Sequence, residues 1–179
     1  MKTMAETDEE LALRARDGEE AAFRGLLTRN YGQVYRLAYR FLGQAADAED
    51  VAQEVCSTLA SRIQGFRGQS RFKTWLYAVT LNQVRDHARR QRTIQRLQGD
   101  YVDVASHRAA DWADSDQKVR WLYVALDRLD GVLKETALLI LAEEMSHREA
   151  AQILGVKEST VSWRMHEVKK KLTAMAKND

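Results

Sequence analysis

A group of hydroxyl, indole, imidazole and basic side chains lies between residues 159 and 170, near the end of the chain. Hydroxyl groups contact phosphates and base edges, an arginine makes a bidentate contact with guanine, and lysines attract phosphates. This chemistry suits a helix that lies in the major groove of duplex DNA. The candidate residues are Ser159, Thr160, Ser162, Trp163, Arg164, His166, Lys169 and Lys170.

The spacing of the neighbouring apolar residues predicts a helix-turn-helix around this group. A buried stripe steps by four, three and four residues through Val161, Met165, Val168 and Leu172. Upstream, Ser146 and Glu149 have the spacing of a capping box that begins a helix. Gly155 ends that helix, because the tight turn favours a left-handed residue. A helical hairpin with a solvated basic face is the alternative interpretation.

Residues 66–90 interleave aromatic side chains with basic and polar ones. Single-stranded DNA binding needs flat surfaces on which bases stack and cations near the backbone. Phe72 and Trp75 fit a hydrophobic core better than a stacking surface. The loop around Phe66 and the polar face that follows are harder to explain as core. The candidates for binding a single strand are Phe66, Arg67, Gln69, Ser70, Asn82, Arg85 and Arg89.

The charges along the chain are segregated, although the net charge is only +2. Residues 43–54 carry four acids and no base, whereas residues 67–92 carry seven bases and one acid. Residues 157–171 carry five bases and two acids. The acidic stretch is either a solvated helix face or a docking surface. One acidic helix beside two basic segments therefore indicates at least two kinds of partner surface.

The composition predicts an all-α fold, because proline is absent and good helix formers dominate. We expect one helical domain over residues 1–92, with helices over 8–17, 20–42, 47–63 and 72–92 and with Asp47 as the cap of the third. A second helical domain is expected over 118–179, with helices over 119–129, 132–144, 146–154 and 157–175. Between them, residues 93–117 hold five aspartates and a weak apolar pattern. This stretch predicts a flexible acidic linker.

The sequence leads us to expect that this chain does not belong to several classes of protein. No stretch near 20 residues lacks charge and the first ten residues lack an apolar core, so we expect no membrane insertion, no signal peptide and a cytoplasmic protein. His147 and His166 have no partner ligands at metal-binding spacing, and we expect no metal or other cofactor. Cys56 stands alone, as a small buried hydrophobe or a redox-sensing thiol. Without a phosphate loop, nucleophile elbow or paired carboxylates, we expect no enzyme.

Three stretches resemble the extracytoplasmic-function (ECF) group of RNA polymerase sigma factors, which contain regions 2 and 4 of the sigma-70 family. Asp47–Val55, DAEDVAQEV, is similar to the polymerase-binding helix of region 2. Phe66–Arg90 is similar to the segment that melts the promoter and reads the −10 element. Ser146–Leu172 is similar to the helix-turn-helix of region 4. The family usually has Leu-Pro where this chain has Leu129, Asp130 and Gly131.

The resemblance implies a set of partners and sites. It implies binding to core RNA polymerase, through the β′ clamp and the β subunit, and to promoter DNA, with an anti-sigma factor as regulator in a stress or envelope response. The loop over residues 66–70 would pocket a flipped −10 base, and the last helix would read the −35 element. The linker would thread near the RNA exit path. The implied polymerase-binding residues are Asp47, Glu49, Asp50, Gln53 and Glu54.

A stand-alone helix-turn-helix regulator with an N-terminal sensor domain is the competing hypothesis. Both proteins would need the C-terminal DNA-binding helices. A sensor domain, however, has no need for an acidic docking helix together with a basic and aromatic single-strand segment. The resemblance therefore predicts a sigma factor that directs promoter-specific transcription initiation.

Overall fold

The computed structural model describes residues 6–98 and 117–178, and every regular element in these two ranges is helical. The chain divides into two compact units, with the boundary after Arg90. The first unit contains α1 (Asp8–Arg16), α2 (Glu20–Leu42), α3 (Ala45–Arg62), a short 3₁₀ turn (Ile63–Gly65) and most of α4 (Phe72–Gln98). The all-α prediction is therefore confirmed. The predicted linker falls largely outside the described residues, although α4 continues six residues beyond Arg92, where we predicted its end.

Helix boundaries in the first unit follow from local backbone chemistry. Thr7 and Glu10 form a reciprocal capping box at the start of α1. Gly43 ends α2 in the left-handed conformation at φ 78°, so the helix covers the predicted residues 20–42. Apolar side chains of α1, α2, α3 and α4 then form one core, in which α2 lies against both α1 and α3. Fully buried members of this core include Leu26, Leu37, Leu59, Ile63, Phe66, Phe72, Leu76 and Leu81.

Cys56 lies on α3 and is only partly buried. Burial raises the pKa of its thiol, so the reactive thiolate is disfavoured at neutral pH. The side chain is thus less buried than the interpretation as a small buried hydrophobe implied.

The second unit contains α5 (Gln117–Asp127), α6 (Gly131–Ala137), a π-helical turn (Leu138–Ala142), α7 (His147–Leu154) and α8 (Glu158–Asn178). Helix α8 packs against α5, α6 and α7. One helix was predicted over residues 132–144. The structure instead changes to π-helical geometry at Leu138, and Glu144 adopts a left-handed φ of 54° where the segment ends. In α5, Val124 is exposed rather than buried, and Leu126 takes the core position.

Asp130 explains how α6 begins without the proline that the family usually has nearby. Its carboxylate accepts a hydrogen bond from the backbone N–H of Leu133 at 3.1 Å, which satisfies a donor left free at the helix start. Its second oxygen lies 3.1 Å from the ammonium of Lys171 on α8. Two contacts lower the pKa of Asp130. The hydrogen bond from Leu133 has the larger effect, and the contact with Lys171 has the smaller one.

Candidate functional sites

Helix α3 presents its acidic side chains to solvent because its apolar side chains face the core. Asp50 and Glu54 are both exposed and lie one helical turn apart, with exposed Gln53 between them. The opposite face is almost wholly buried and consists of Ala48, Val51, Ala52, Val55 and Leu59. The first unit therefore carries an accessible anionic strip, which we call the acidic face: Glu49, Asp50, Gln53 and Glu54.

Glu49 differs from the other members of the acidic face because it is held by two internal hydrogen bonds. Its Oε1 accepts from the Tyr31 hydroxyl at 2.6 Å and from Gln53 Nε2 at 3.2 Å. The bond to Glu49 raises the pKa of Tyr31 to about 12, and the same contact lowers the pKa of Glu49. Glu49 thus ties α3 to α2, and no sequence pattern indicated that contact.

Asp47 is not the cap of α3, contrary to our prediction. The helix begins two residues earlier, at Ala45, and its N-cap Gln44 makes no side-chain capping bond. Gln44 is extended and helical backbone begins at Ala45, which places Asp47 in the first turn, where its charge favours the helix dipole. Its carboxylate lies 3.0 Å from Nε2 of His87 on α4, in a partly buried contact that lacks the alignment of a hydrogen bond. Asp47 therefore contacts α4 and lies on α3 next to the acidic face, but is not one of its members.

Phe66 is not an exposed stacking surface, and this corrects our expectation for the loop. Only 1% of the residue is accessible. Its ring meets Phe72 edge-on at 5.5 Å between centroids and Trp75 at 5.6 Å. The three rings form the apolar base of the loop. Phe72 is fully buried, which confirms its interpretation as core, whereas Trp75 is only partly buried. The sequence did not predict the burial of Phe66, because a lone aromatic residue between glycines has no helical periodicity that would indicate a buried face.

The tip of the loop is polar and exposed. Arg67 and Gln69 are exposed, and Gly68 between them adopts a left-handed φ of 68°. Ser70 is partly buried, and its hydroxyl donates to the carbonyl of Arg71 at 3.3 Å. Arg67, Gln69 and Ser70 are therefore the side chains of this loop that a ligand can reach.

Three predicted side chains share one face of α4, because residues 82, 85 and 89 are spaced by about one and two turns. Asn82 and Arg89 are exposed and Arg85 is partly buried. Arg85 approaches the Asn82 carbonyl at 3.5 Å, and Arg89 pairs with Asp86 one turn before it. The structure thus brings these predicted residues together, and it adds Asp86 as a local counter-charge.

The capping box and the glycine helix end predicted for residues 146–155 are both present. Ser146 and Glu149 form both hydrogen bonds of the capping box at the start of α7. Gly155 ends α7 in the left-handed conformation, and the N–H of Val156 returns to the carbonyl of Ala151 at 3.0 Å. This tight turn delivers the chain into α8 at Glu158.

Helix α8 separates its apolar stripe from its polar faces as the sequence predicted. Val161 and Val168 are buried, and Met165 and Leu172 are partly buried. Trp163 is 61% exposed. Thr160 and Arg164 are partly accessible, and the exposed polar members are Ser159, Ser162, His166, Lys169 and Lys170. We call this set, with Trp163, the α8 polar surface.

Ser162 has a structural contact that the sequence did not reveal. Its hydroxyl lies 2.9 Å from Nδ1 of His147 on α7 and 3.2 Å from the carbonyl of Glu158. The hydroxyl therefore joins the two helices of the motif, and less of its hydrogen-bonding capacity remains for a ligand. His147 is here the partner of Ser162.

Comparisons with known proteins match both units. The Sigma-70 region 2 family matches residues 26–94, and the Sigma-70, region 4 family matches residues 120–172. The RNA polymerase sigma factor NccH of Alcaligenes xylosoxydans xylosoxydans is 30% identical over 176 residues, which cover 94% of each chain. The ECF RNA polymerase sigma factor SigE of Mycolicibacterium smegmatis is 32% identical over 87% of this chain and 63% of its own length.

Solved structures agree with this assignment. The structure of CnrH in complex with the cytosolic domain of CnrY matches with a TM-score of 0.72 at 25% identity, over 97% of this chain and 99% of that one. The sigma factor RpoE in complex with the anti-sigma factor NepR, from Bartonella quintana, matches with a TM-score of 0.69 at 21% identity, over 88% of this chain and 98% of that one. The latter supports the fold.

The two helical units, one with an acidic face and one with a helix-turn-helix, define a DNA-binding component of the transcription machinery. The chain belongs to the ECF group of sigma-70 family RNA polymerase sigma factors. It is a transcription initiation factor and not an enzyme, and core RNA polymerase and promoter DNA are its partners. The region 2 match decides against an N-terminal sensor domain. Within the described ranges, no helix has both the length and the apolarity to cross a membrane.

Proposed function

We propose that the acidic face of α3 docks on the β′ clamp of core RNA polymerase. The observation that carries this proposal is the exposure of Asp50 and Glu54 one turn apart on a helix whose other face is buried. A basic partner surface would pair with these carboxylates without disturbing the core behind them. Glu49, Gln53 and Asp47 contribute less directly, because each also contacts another residue of the first unit.

DNA contacts divide between the two units. Arg67, Gln69 and Ser70 at the loop tip, with Asn82, Arg85 and Arg89 on α4, bind the unpaired strand of the −10 element. The α8 polar surface reads the −35 element as duplex, with Arg164 as the guanine-reading side chain. Phe66 leaves this set because it is buried. The side chains of these two groups are mostly basic or neutral, and this suits a phosphate backbone.

Regulation and location complete the proposal. The protein acts in the cytoplasm, where core polymerase and promoters are found, and its second unit also contacts the β subunit. Its target genes belong to a stress or envelope response, and an anti-sigma factor holds it inactive by covering DNA-binding surfaces. Support comes from RpoE, whose solved structure is a complex with the anti-sigma factor NepR. The segment over residues 93–117 serves as a tether between units 1–92 and 118–179.

Charge reversal tests the docking surface. We expect Asp50→Lys combined with Glu54→Lys to abolish binding to core polymerase, because two attractive contacts become repulsive. Co-purification with core polymerase measures binding, and run-off transcription across genomic fragments measures initiation and reveals the promoter. Circular dichroism should show an unchanged helical content.

Glu20→Lys is the control, because Glu20 is an exposed acid on α2, outside the acidic face. This variant should bind core polymerase as the wild type does. If the double variant still initiates at specific promoters, the docking assignment is wrong.

A further inference from the structure

Helix α1 makes three hydrogen bonds to the two ends of the loop over residues 66–71. At the first end, Gln64 Nε2 donates to the carbonyl of Arg16 at 2.8 Å, and the Arg16 guanidinium reaches the carbonyl of Phe66 at 3.4 Å. At the second end, the backbone N–H of Phe72 donates to Oε1 of Glu9 at 2.9 Å. These pairs are separated by 48 to 63 positions in sequence, so they are tertiary contacts.

Glu9 caps the start of α4 in the way that a residue adjacent in sequence caps most helices. The first N–H groups of a helix have no partner inside it, and α4 begins at Phe72, whose side chain is fully buried. Glu9 supplies a carboxylate acceptor to this N–H from another helix, and its negative charge also favours the positive end of the helix dipole. The start of α4 is thereby tied to α1.

The apolar base of the loop is fixed as well. Phe66 is held between the rings of Phe72 and Trp75. The exposed tip at Arg67 and Gln69 thus stands on a base that is fixed at both ends. A binding loop that is already ordered loses less conformational entropy when its ligand arrives, and this increases affinity without any new contact.

We propose that Glu9 is a positioning residue for recognition of the unpaired −10 strand, acting through the backbone of Phe72 to hold the loop in its binding conformation. This inference rests on the proposed function of the loop. Glu9 itself touches α4 and not DNA. Gln64 and Arg16 hold the opposite end of the same loop, and α1 is thereby part of the DNA-binding apparatus of the first unit.

The test uses holoenzyme reconstituted from core polymerase and the full-length chain. The probe is a fluorescein-labelled single strand that carries the −10 element of a promoter found by run-off transcription, and fluorescence anisotropy measures its affinity. Glu9→Ala should weaken binding about tenfold, because a charged acceptor is lost from a buried N–H. Glu9→Gln, which keeps a carbonyl oxygen at the same position, should restore affinity to within about threefold.

Glu10→Gln is the matched control, since it removes one negative charge from the same turn of α1 while glutamine can keep the capping-box contact with Thr7, and Glu10 does not contact the loop. It should bind the strand within about twofold of the wild type. All three variants should retain wild-type affinity for core polymerase and for duplex −35 DNA. Hydrogen exchange of a peptide over residues 64–76 should be faster in Glu9→Ala than in Glu10→Gln.

Other outcomes would overturn the inference. Unchanged strand affinity in Glu9→Ala would do so, as would equal weakening by Glu10→Gln or failure of Glu9→Gln to rescue. If Glu9→Ala does not fold, the exposed Gln64 gives a second variant, Gln64→Ala. We expect it to bind the strand about threefold more weakly. Wild-type affinity in Gln64→Ala would then contradict the proposal that α1 holds the loop. If the wild-type holoenzyme does not prefer the −10 strand to a scrambled one, the loop assignment itself fails.

Discussion

Trp163 and Arg164 stand side by side on α8 with different exposures. Trp163 exposes 61% of its surface, more than the other large apolar side chains found exposed in the described ranges. Arg164 is partly covered. A guanidinium offers planar donors that can contact a base in a bidentate way, and an exposed indole offers apolar area to a thymine methyl or a sugar. Under the proposed function, we therefore expect the two residues to contribute differently to −35 recognition.

Arg164→Ala should weaken binding to −35 duplex DNA by about 1–3 kcal/mol and relax the preference at one base pair, because a bidentate base contact is lost. Electrophoretic mobility shifts with a set of single-base promoter variants measure both effects. Lys170→Ala serves as the comparison and should weaken binding to all sequences alike. A uniform loss in Arg164→Ala would place this arginine on phosphate instead.

Phe66 is buried whereas Trp163 is exposed, because the loop turns the ring of Phe66 toward the core. Phe66→Ala should lower the free energy of unfolding by about 3–5 kcal/mol, since a large side chain leaves a cavity between Phe72 and Trp75. Phe66→Leu should cost less. Chemical denaturation followed by circular dichroism measures the change. A Phe66→Ala protein of wild-type stability would show that the ring is not part of the core.

At the scale of elements, caps decide where the helices of the second unit begin and end. Ser146 and Glu149 start α7, Gly155 ends it, and Asp130 starts α6. These residues act through a few backbone groups, so each is readable from a short stretch of sequence. The π-helical turn at Leu138 and the left-handed Glu144 lie between these caps. They bring the end of this segment to Ser146 and have no comparable local signal.

Asp130→Ala should destabilise the second unit by about 1 kcal/mol at pH 7, as expected for loss of an N-cap. The pKa of Asp130 is lowered in the folded protein, so its contribution is present above the ordinary value of 3.8 and is lost as pH falls through the folded pKa. The difference between wild type and Asp130→Ala should therefore shrink below about pH 4. Thermal melts between pH 3 and 7 measure it.

Asp130→Asn separates the two contacts of this residue. Asparagine is also a good N-cap but cannot form the ion pair with Lys171. Its stability at pH 7 should be close to that of the wild type, because exposed ion pairs contribute little. A loss as large as that of Asp130→Ala would assign the effect to the ion pair.

At the scale of the whole molecule, the two units have separate cores and separate surfaces. The acidic face and the loop over residues 66–71 belong to the first unit, and the α8 polar surface belongs to the second. Under the proposed function, polymerase binding and −35 recognition should therefore respond to different core substitutions.

Leu138→Ala tests this division, because Leu138 is fully buried in the second unit. We expect a loss of about 2–5 kcal/mol in the stability of that unit and loss of −35 duplex binding. Retention by core polymerase through the acidic face should persist. Leu141→Ala, which removes a 44% exposed leucine only three residues away, is the control and should change neither. Loss of polymerase retention in Leu138→Ala would show that the units depend on each other.

The sequence by itself determined the helical fold, most helix boundaries, the helix-turn-helix and the acidic face. These features depend on local backbone chemistry and on helical periodicity, and both are legible in short stretches such as 146–156 or 47–55. The resemblance to ECF sigma factors rested on the same stretches, and the family matches confirmed it.

Only the tertiary structure decided which candidate side chains are accessible. It placed Phe66 in the core, joined Glu49 to Tyr31 and Ser162 to His147, brought Asp47 beside His87, and set Glu9 on the start of α4. Apart from the ring contacts of Phe66, these contacts link residues 15 to 63 positions apart in the chain. Helical periodicity states which face of a helix is buried, but not which partner another helix brings to that face.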